Sequence, residues 1–159
     1  MTARDHKILI LGIGNEILKD DGIGIKLCRD MEQHFSHKAA TFLTTSLGGL
    51  EILDIIQDFN TVVFIDAIKT SGGTPGDVYV YTPSDFSETL HLSNLHDINF
   101  LNALELGRTL GMKIPDKMLI LAVEIKDDIE FGEMFSPQVA ARYDEIRNRI
   151  AESIAAVFD

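Results

Sequence analysis

The segment Gly12-Ile13-Gly14-Asn15-Glu16-Ile17-Leu18-Lys19-Asp20-Asp21-Gly22-Ile23-Gly24 brings glycines and adjacent carboxylates together between a strand-like run and a helix-like run. A dinucleotide fingerprint needs a third glycine where Ile17 stands, and no Gly-Lys-Ser/Thr closes a phosphate loop. Asp20-Asp21 would also repel a phosphate. The glycines permit tight turns and close backbone approach, and the acids suit a helix start or a cation. A further acid, Asp66, ends the apolar run Thr61-Val62-Val63-Phe64-Ile65, which places it at the carboxyl edge of a strand, where strand one also delivers Asp21. His96 follows a loop and opens a helical stretch. Asp21, Asp66 and His96 together make an oxygen, oxygen, nitrogen set suited to a borderline divalent metal such as nickel or zinc. His91, in the same loop, is the rival for the nitrogen position. His6, His34 and His37 lie in polar stretches and read as solvated. No Gly-x-Ser-x-Gly elbow and no His-Glu-x-x-His helix occurs. Cys28 reads as a small buried thiol, and the acidic run 124–130 as a solvated loop.

The elements that must position these residues alternate between short β-branched runs and longer helical patterns, which predicts an α/β layered fold. Strands are expected at residues 7–11, 40–43, 61–65, 78–81 and 118–123. Apolar residues at Ile23, Leu27, Met31 and Phe35 mark a first helix ending near Phe35, and helices are also expected at 50–56 and 97–110. Ser136-Pro137 starts a last helix with an N-cap and a first-turn proline, its stripe being Val139, Tyr143, Ile146, Ile150, Ile154 and Val157. Residues 67–77 are too few for a helical crossover, so strands 61–65 and 78–81 are expected to pair as an antiparallel hairpin. Residues 83–95 read as an irregular loop. The expected architecture is one three-layer domain over residues 1–159, a twisted, mixed but mostly parallel five-stranded sheet with helices on both faces.

Composition limits the partners. The chain has 159 residues, 14 Lys plus Arg against 25 Asp plus Glu, and a net charge of −11. Such a surface is repelled by nucleic acid and by anionic membranes. One cysteine excludes an internal disulfide and a thiolate-rich zinc site. The longest apolar runs fall well short of the ~18 residues that span a bilayer. A cytoplasmic location is expected.

The pattern Gly12-x-Gly14-Asn15-x5-Asp21-Gly22-x-Gly24, then Phe64-Ile65-Asp66-Ala67, Pro75-Gly76, and His96 before a helix resembles the nickel-iron hydrogenase maturation endopeptidases over nearly the whole chain. The resemblance implies a twisted mixed sheet and a protease that removes a C-terminal extension from the hydrogenase large-subunit precursor after nickel insertion. It also implies that Asp21, Asp66 and His96 form the site that senses nickel in the substrate. The metal is presented by the substrate, or a divalent ion is held by the protein itself. One departure stands out: many members carry an aspartate before the glycines after strand two, where this chain has Thr44-Thr45-Ser46-Leu47-Gly48-Gly49. Two chemistries remain open, a grip on nickel that positions the scissile bond or its attacking water, and a carboxylate pair acting as general acid and base. Two other classes are kept beside the protease. One is a receiver-like signalling domain phosphorylated on Asp66, with Asp20-Asp21 and Lys126 as its companions. The other is a non-catalytic nickel-binding accessory protein. A monomer that docks transiently on its substrate is the simplest expected state.

Overall fold

The computed structural model describes residues 6–46, 48–88 and 95–159. Three strands form the centre of the sheet: β1 (Ile8–Ile13), β3 (Thr61–Ile68) and β5 (Lys117–Glu124). Leu9, Ile10, Leu11, Val62, Val63, Ile65 and Leu121 are buried on both faces, as strands covered by helices on either side must be. The edges are β2 (Thr41–Thr45), which is largely exposed, and the short β4 (Val78–Tyr81). The order is β2-β1-β3-β5-β4, with every pair parallel except β4 against β5. The expected mixed, mostly parallel five-stranded sheet is therefore present.

Its hairpin is not. β5 lies between β3 and β4, and β4 pairs with β5 in the register Val78↔Val123 to Tyr81↔Ile120. The reason is reach and partner length. The loop 69–77, at ~3.3 Å per residue, easily crosses the ~10 Å occupied by one intervening strand. β3 gains a full-length parallel partner in β5, from Thr61↔Lys117 to Ile68↔Glu124, which the four-residue β4 could not supply.

One face carries α1 (Ile23–His34), α5 (Pro137–Ala141) and α6 (Tyr143–Phe158). Ile23, Leu27, Met31, Val139, Ile146, Ile150 and Ile154 meet Ile10, Val63, Ile65, Leu121 and Val123 of the strands there. The other face carries α2 (Leu50–Ile56) and α4 (Leu95–Thr109), with Ile52, Leu53, Ile56, Ala103 and Leu104 packed on Leu9, Leu11, Val62, Phe64, Ile120 and Ala122. The last helix, expected as one, divides at Arg142. The guanidinium of Arg142 donates to Asp77 (2.8 Å) and to the Pro75 carbonyl (3.0 Å), which anchors the helix to the loop before β4.

The irregular loop expected from residue 83 begins instead with a helix, α3 (Pro83–Glu88). Thr82 and Asp85 form a reciprocal cap: the Asp85 N–H donates to Thr82 Oγ1 (3.2 Å) and the Thr82 N–H to Asp85 Oδ2 (3.3 Å). A threonine, then proline in the first turn, then an acid at the third position is a helix-start pattern readable in the sequence.

Gly24 sets how closely α1 can approach the sheet. A Cβ there would collide with the carbonyl oxygens of both Ile13 and Ile65, so the helix start rests directly on the ends of β1 and β3. Gly24→Ala is expected to cost ~2–3 kcal/mol, since backbone cannot yield as a side-chain tip does. Urea unfolding of the two proteins measures it.

Cys28 is buried where expected, its Sγ 3.3 Å from the Leu43 carbonyl and 3.6 Å from that of Ile10. Burial pushes the thiol up from 9.0 to about 11. Between those values the unfolded chain releases a proton that the folded chain keeps, so stability falls as pH rises through the window, by ~2–3 kcal/mol. A Cys28→Ala variant is expected to lose that part of the alkaline slope, read by denaturant titrations at pH 8 and pH 11.

Candidate active site

After β1 the chain leaves the sheet at Gly14, whose N–H donates to the Thr45 carbonyl at the end of β2 (3.1 Å). It then forms a 3-10 turn at Lys19–Gly22 that runs directly into α1. The turn presents two neighbouring acids in opposite ways, because successive side chains point to different sides.

Asp21 is half-buried, and its Oδ2 accepts the N–H of Asn15 at 2.9 Å. Gly14 leaves room for this, since a Cβ there would strike the backbone oxygen of Asp21. The spacing Gly14, Asn15, Asp21 is thus one unit: the glycine admits the turn and the asparagine backbone orients the carboxylate.

Asp66 lies in β3 one residue beyond the expected strand end, half-buried, with Oδ1 accepting the N–H of Ala67 at 2.8 Å. Alternation along β3 puts Asp66 on the side of Val62, Phe64 and Ile68, the face covered by α2 and α4. The 3-10 turn packs against β3, and Gly24 rests on the carbonyl of Ile65, the residue before Asp66. Asp21 and Asp66 therefore stand on touching elements at the carboxyl edge.

His96 is the second residue of α4. The chain after α4 enters β5 at the amino edge of the sheet, so the opposite end of α4, where His96 stands, belongs to the carboxyl edge. That end lies on the face that Asp66 occupies. His91 lies outside the described residues, as does Leu47 of the departing loop. Among the described residues no three His, Cys, Asp or Glu side chains gather into a metal site, and the His96 ring is not among those described.

Asp20, read with Asp21 as a possible cation ligand, instead holds the fold together. It is fully buried and accepts four hydrogen bonds: from the Ser136 N–H (2.7 Å) and hydroxyl (2.7 Å), the Asp127 N–H (2.9 Å) and the Lys126 N–H (3.1 Å). The Lys126 and Asp127 donors come from the stretch 124–130 taken for a solvated loop, which is a correction to that expectation, and Ser136 lies beyond it at the start of α5. Glu124 is buried as well, accepting from Thr70 N–H (2.9 Å), the Thr70 hydroxyl and the Tyr79 hydroxyl (3.2 Å). Asp127 accepts the N–H groups of Glu130 and Ile129, which hold its carboxyl below the usual carboxylate range. Within the run, Glu124 and Asp127 accept backbone donors, whereas Asp128 and Glu130 pair with Lys69 and Lys19.

Comparison with known proteins gives the arrangement a family. The hydrogenase maturation protease model HycI matches residues 25–153. The hydrogenase expression/formation protein HupD of Thiocapsa roseopersicina is 26% identical over 141 residues, which is 87% of this chain and 63% of that protein. The chain thus spans less than two thirds of the length of that relative. The hydrogenase 2 maturation protease of Escherichia coli K12 is 25% identical over 140 residues, covering 85% of this chain and 82% of that protein. Among solved structures, the E. coli hydrogenase maturating endopeptidase HybD has the same fold, with TM-score 0.76 at 21% identity over 95% of this chain and 93% of its own. The NiFe hydrogenase maturation protease HybD of Thermococcus kodakarensis gives 0.69 at 24% over 94% and 99%. The family match takes in most of the chain, including β3 with Asp66 and α4 with His96, and this chain belongs to the hydrogenase maturation protease family.

Proposed function

We propose that this chain, acting as one domain over residues 1–159, is an endopeptidase that removes the C-terminal extension of a nickel-iron hydrogenase large-subunit precursor once nickel is in place. Asp21, Asp66 and His96 are its nickel-recognising residues, and the nickel arrives as part of the substrate. The observation that carries this reading is the placement of two backbone-oriented carboxylates on touching elements, with the first turn of α4 at the same sheet edge. Two carboxylate oxygens and an imidazole are a donor set that a borderline divalent cation accepts.

The role of the chain's own groups follows from how they are held. The Asn15 and Ala67 N–H groups each fix one oxygen of a carboxylate, so neither side chain must be ordered when substrate arrives. A precursor gripped through its nickel is then positioned with the bond to be cut at a defined offset. Either carboxylate can accept the proton of the water that attacks the peptide carbonyl, and the proton passes to the departing amine. Specificity for one folded precursor follows, because a peptide without the metal centre has nothing for the site to hold. The antiparallel edge strand β4 departs from the all-parallel order expected of a receiver domain. Among the described residues no helix is long and apolar enough to cross a membrane. The buried thiol suits a reducing cytoplasm, and a monomer suffices for the site.

Intact mass spectrometry of the cognate precursor, nickel-loaded and nickel-free, tests the proposal when each is mixed with the protein or with Asp21→Ala. Loss of a C-terminal peptide only with nickel and intact Asp21 is the expected result. Metal binding with an uncut precursor in every mixture would point to the accessory role instead.

A further inference from the structure

Residues 127–134, beside the turn that carries Asp21, direct large apolar side chains into solvent. Ile129, Phe131 and Met134 are 77%, 80% and 82% exposed, and Ile17 on the facing segment is 54% exposed. The backbone beneath them is firmly held. Leu18 and Gly132 form a parallel β-bridge, the Lys19 N–H donates to the Gly132 carbonyl (2.9 Å), and the Gly132 N–H donates to the Ile17 carbonyl (2.8 Å). Asp127 Oδ1 takes the N–H groups of Ile129 and Glu130 at 3.1 Å each, and Lys19 Nζ reaches Glu130 at 2.5 Å. These side chains form a ledge that the fold presents outward.

Large apolar groups clustered on a polar surface mark an interaction site. Charge selects the occupant. Of the acids interleaved with the apolar residues, Asp128 and Glu130 pair with Lys69 and Lys19, Glu133 is exposed beside Met134, and the whole chain carries −11. A second copy would bring together two chains of −11 each, whereas an apolar patch bordered by Lys and Arg meets both the apolar side chains and the net negative charge. The ledge shares a hydrogen-bonded frame with the Asp21 turn, so whatever sits on it is delivered to the carboxyl edge of the sheet.

We infer that this ledge docks the folded body of the hydrogenase large-subunit precursor through an apolar patch rimmed by basic side chains. The inference rests on the proposed function for its partner. The test compares the full chain with the triple variant Ile129→Ser, Phe131→Ser, Met134→Ser, and with Glu133→Lys. Affinity for the nickel-loaded precursor is read by biolayer interferometry, and KM and kcat by intact mass.

The triple variant is expected to raise Kd and KM at least about tenfold, with kcat within about twofold and an unchanged melting temperature. Glu133→Lys is expected to raise both less, and the difference is expected to shrink in high salt. Unchanged Kd and KM in the triple variant overturn the inference. So does a wild-type dimer in sedimentation that the triple variant disperses, since the ledge would then be a contact between copies. A wild-type protein that binds through the ledge but cuts nothing removes the proposed activity and leaves the docking site standing. Cleavage unaffected by the triple variant does the reverse.

Discussion

Asp20→Ala is expected to lower the melting temperature by ~10 °C, a loss of ~3–5 kcal/mol in a chain of this size. The carboxylate is fully buried and satisfies the Ser136 N–H and hydroxyl together with the Lys126 and Asp127 N–H groups. Removing it leaves those donors facing a small void, and each buried donor without an acceptor costs ~1–3 kcal/mol before water or local movement recovers part of it. Asp20→Asn separates shape from charge. Its amide keeps one acceptor oxygen but turns an NH2 group toward donors, so it is expected to fall between wild type and alanine. Differential scanning calorimetry of the three proteins gives the comparison, and equal melting temperatures would show that the network contributes little.

Asp66→Asn is expected to slow precursor processing roughly a thousandfold, equivalent to ~4 kcal/mol of lost transition-state stabilisation. The substitution preserves volume, and the asparagine oxygen can still accept the Ala67 N–H that orients residue 66. Stability is therefore expected to change little, by ~0.5 kcal/mol or less. The contrast with Asp20 is the informative part. One acid is expected to fail in the calorimeter and the other in the cleavage assay, although both lie at the same end of the sheet. Full processing by Asp66→Asn would remove this residue both as a metal donor and as a proton acceptor.

Much of this edge could be read from residue types because its constraints are local. The spacing of Gly14, Asn15 and Asp21 encodes a turn whose glycine admits a backbone and whose asparagine N–H meets an acid six residues later. The apolar run before Asp66 marks a central strand and its exit. What could not be read depends on distant partners. Asp20 and Asp21 are adjacent and chemically alike, and only the donors on Lys126, Asp127 and Ser136, more than a hundred residues away, separate the clamp from the acid proposed for the site. The misplacement of β4 has the same origin, since the strand that displaces it from β3 comes later in the chain. α3 is different: its Thr82-Pro83 start and Asp85 cap are local, but a six-residue helix is too short to show an apolar stripe.

The insertion of β5 between β3 and β4 also imposes an order of assembly. A nascent chain that has emerged only as far as β4 has no neighbour for that strand, and β3 keeps one edge open until residues 117–124 arrive. The Asp20 clamp closes later still, across sequence separations of 106 to 116 residues. High contact order of this kind slows folding relative to a helical bundle of equal length. The turn bearing Asp21 consequently gains its rigid support only after Ser136 has been made, so a partly synthesised chain is expected to be unable to cut anything.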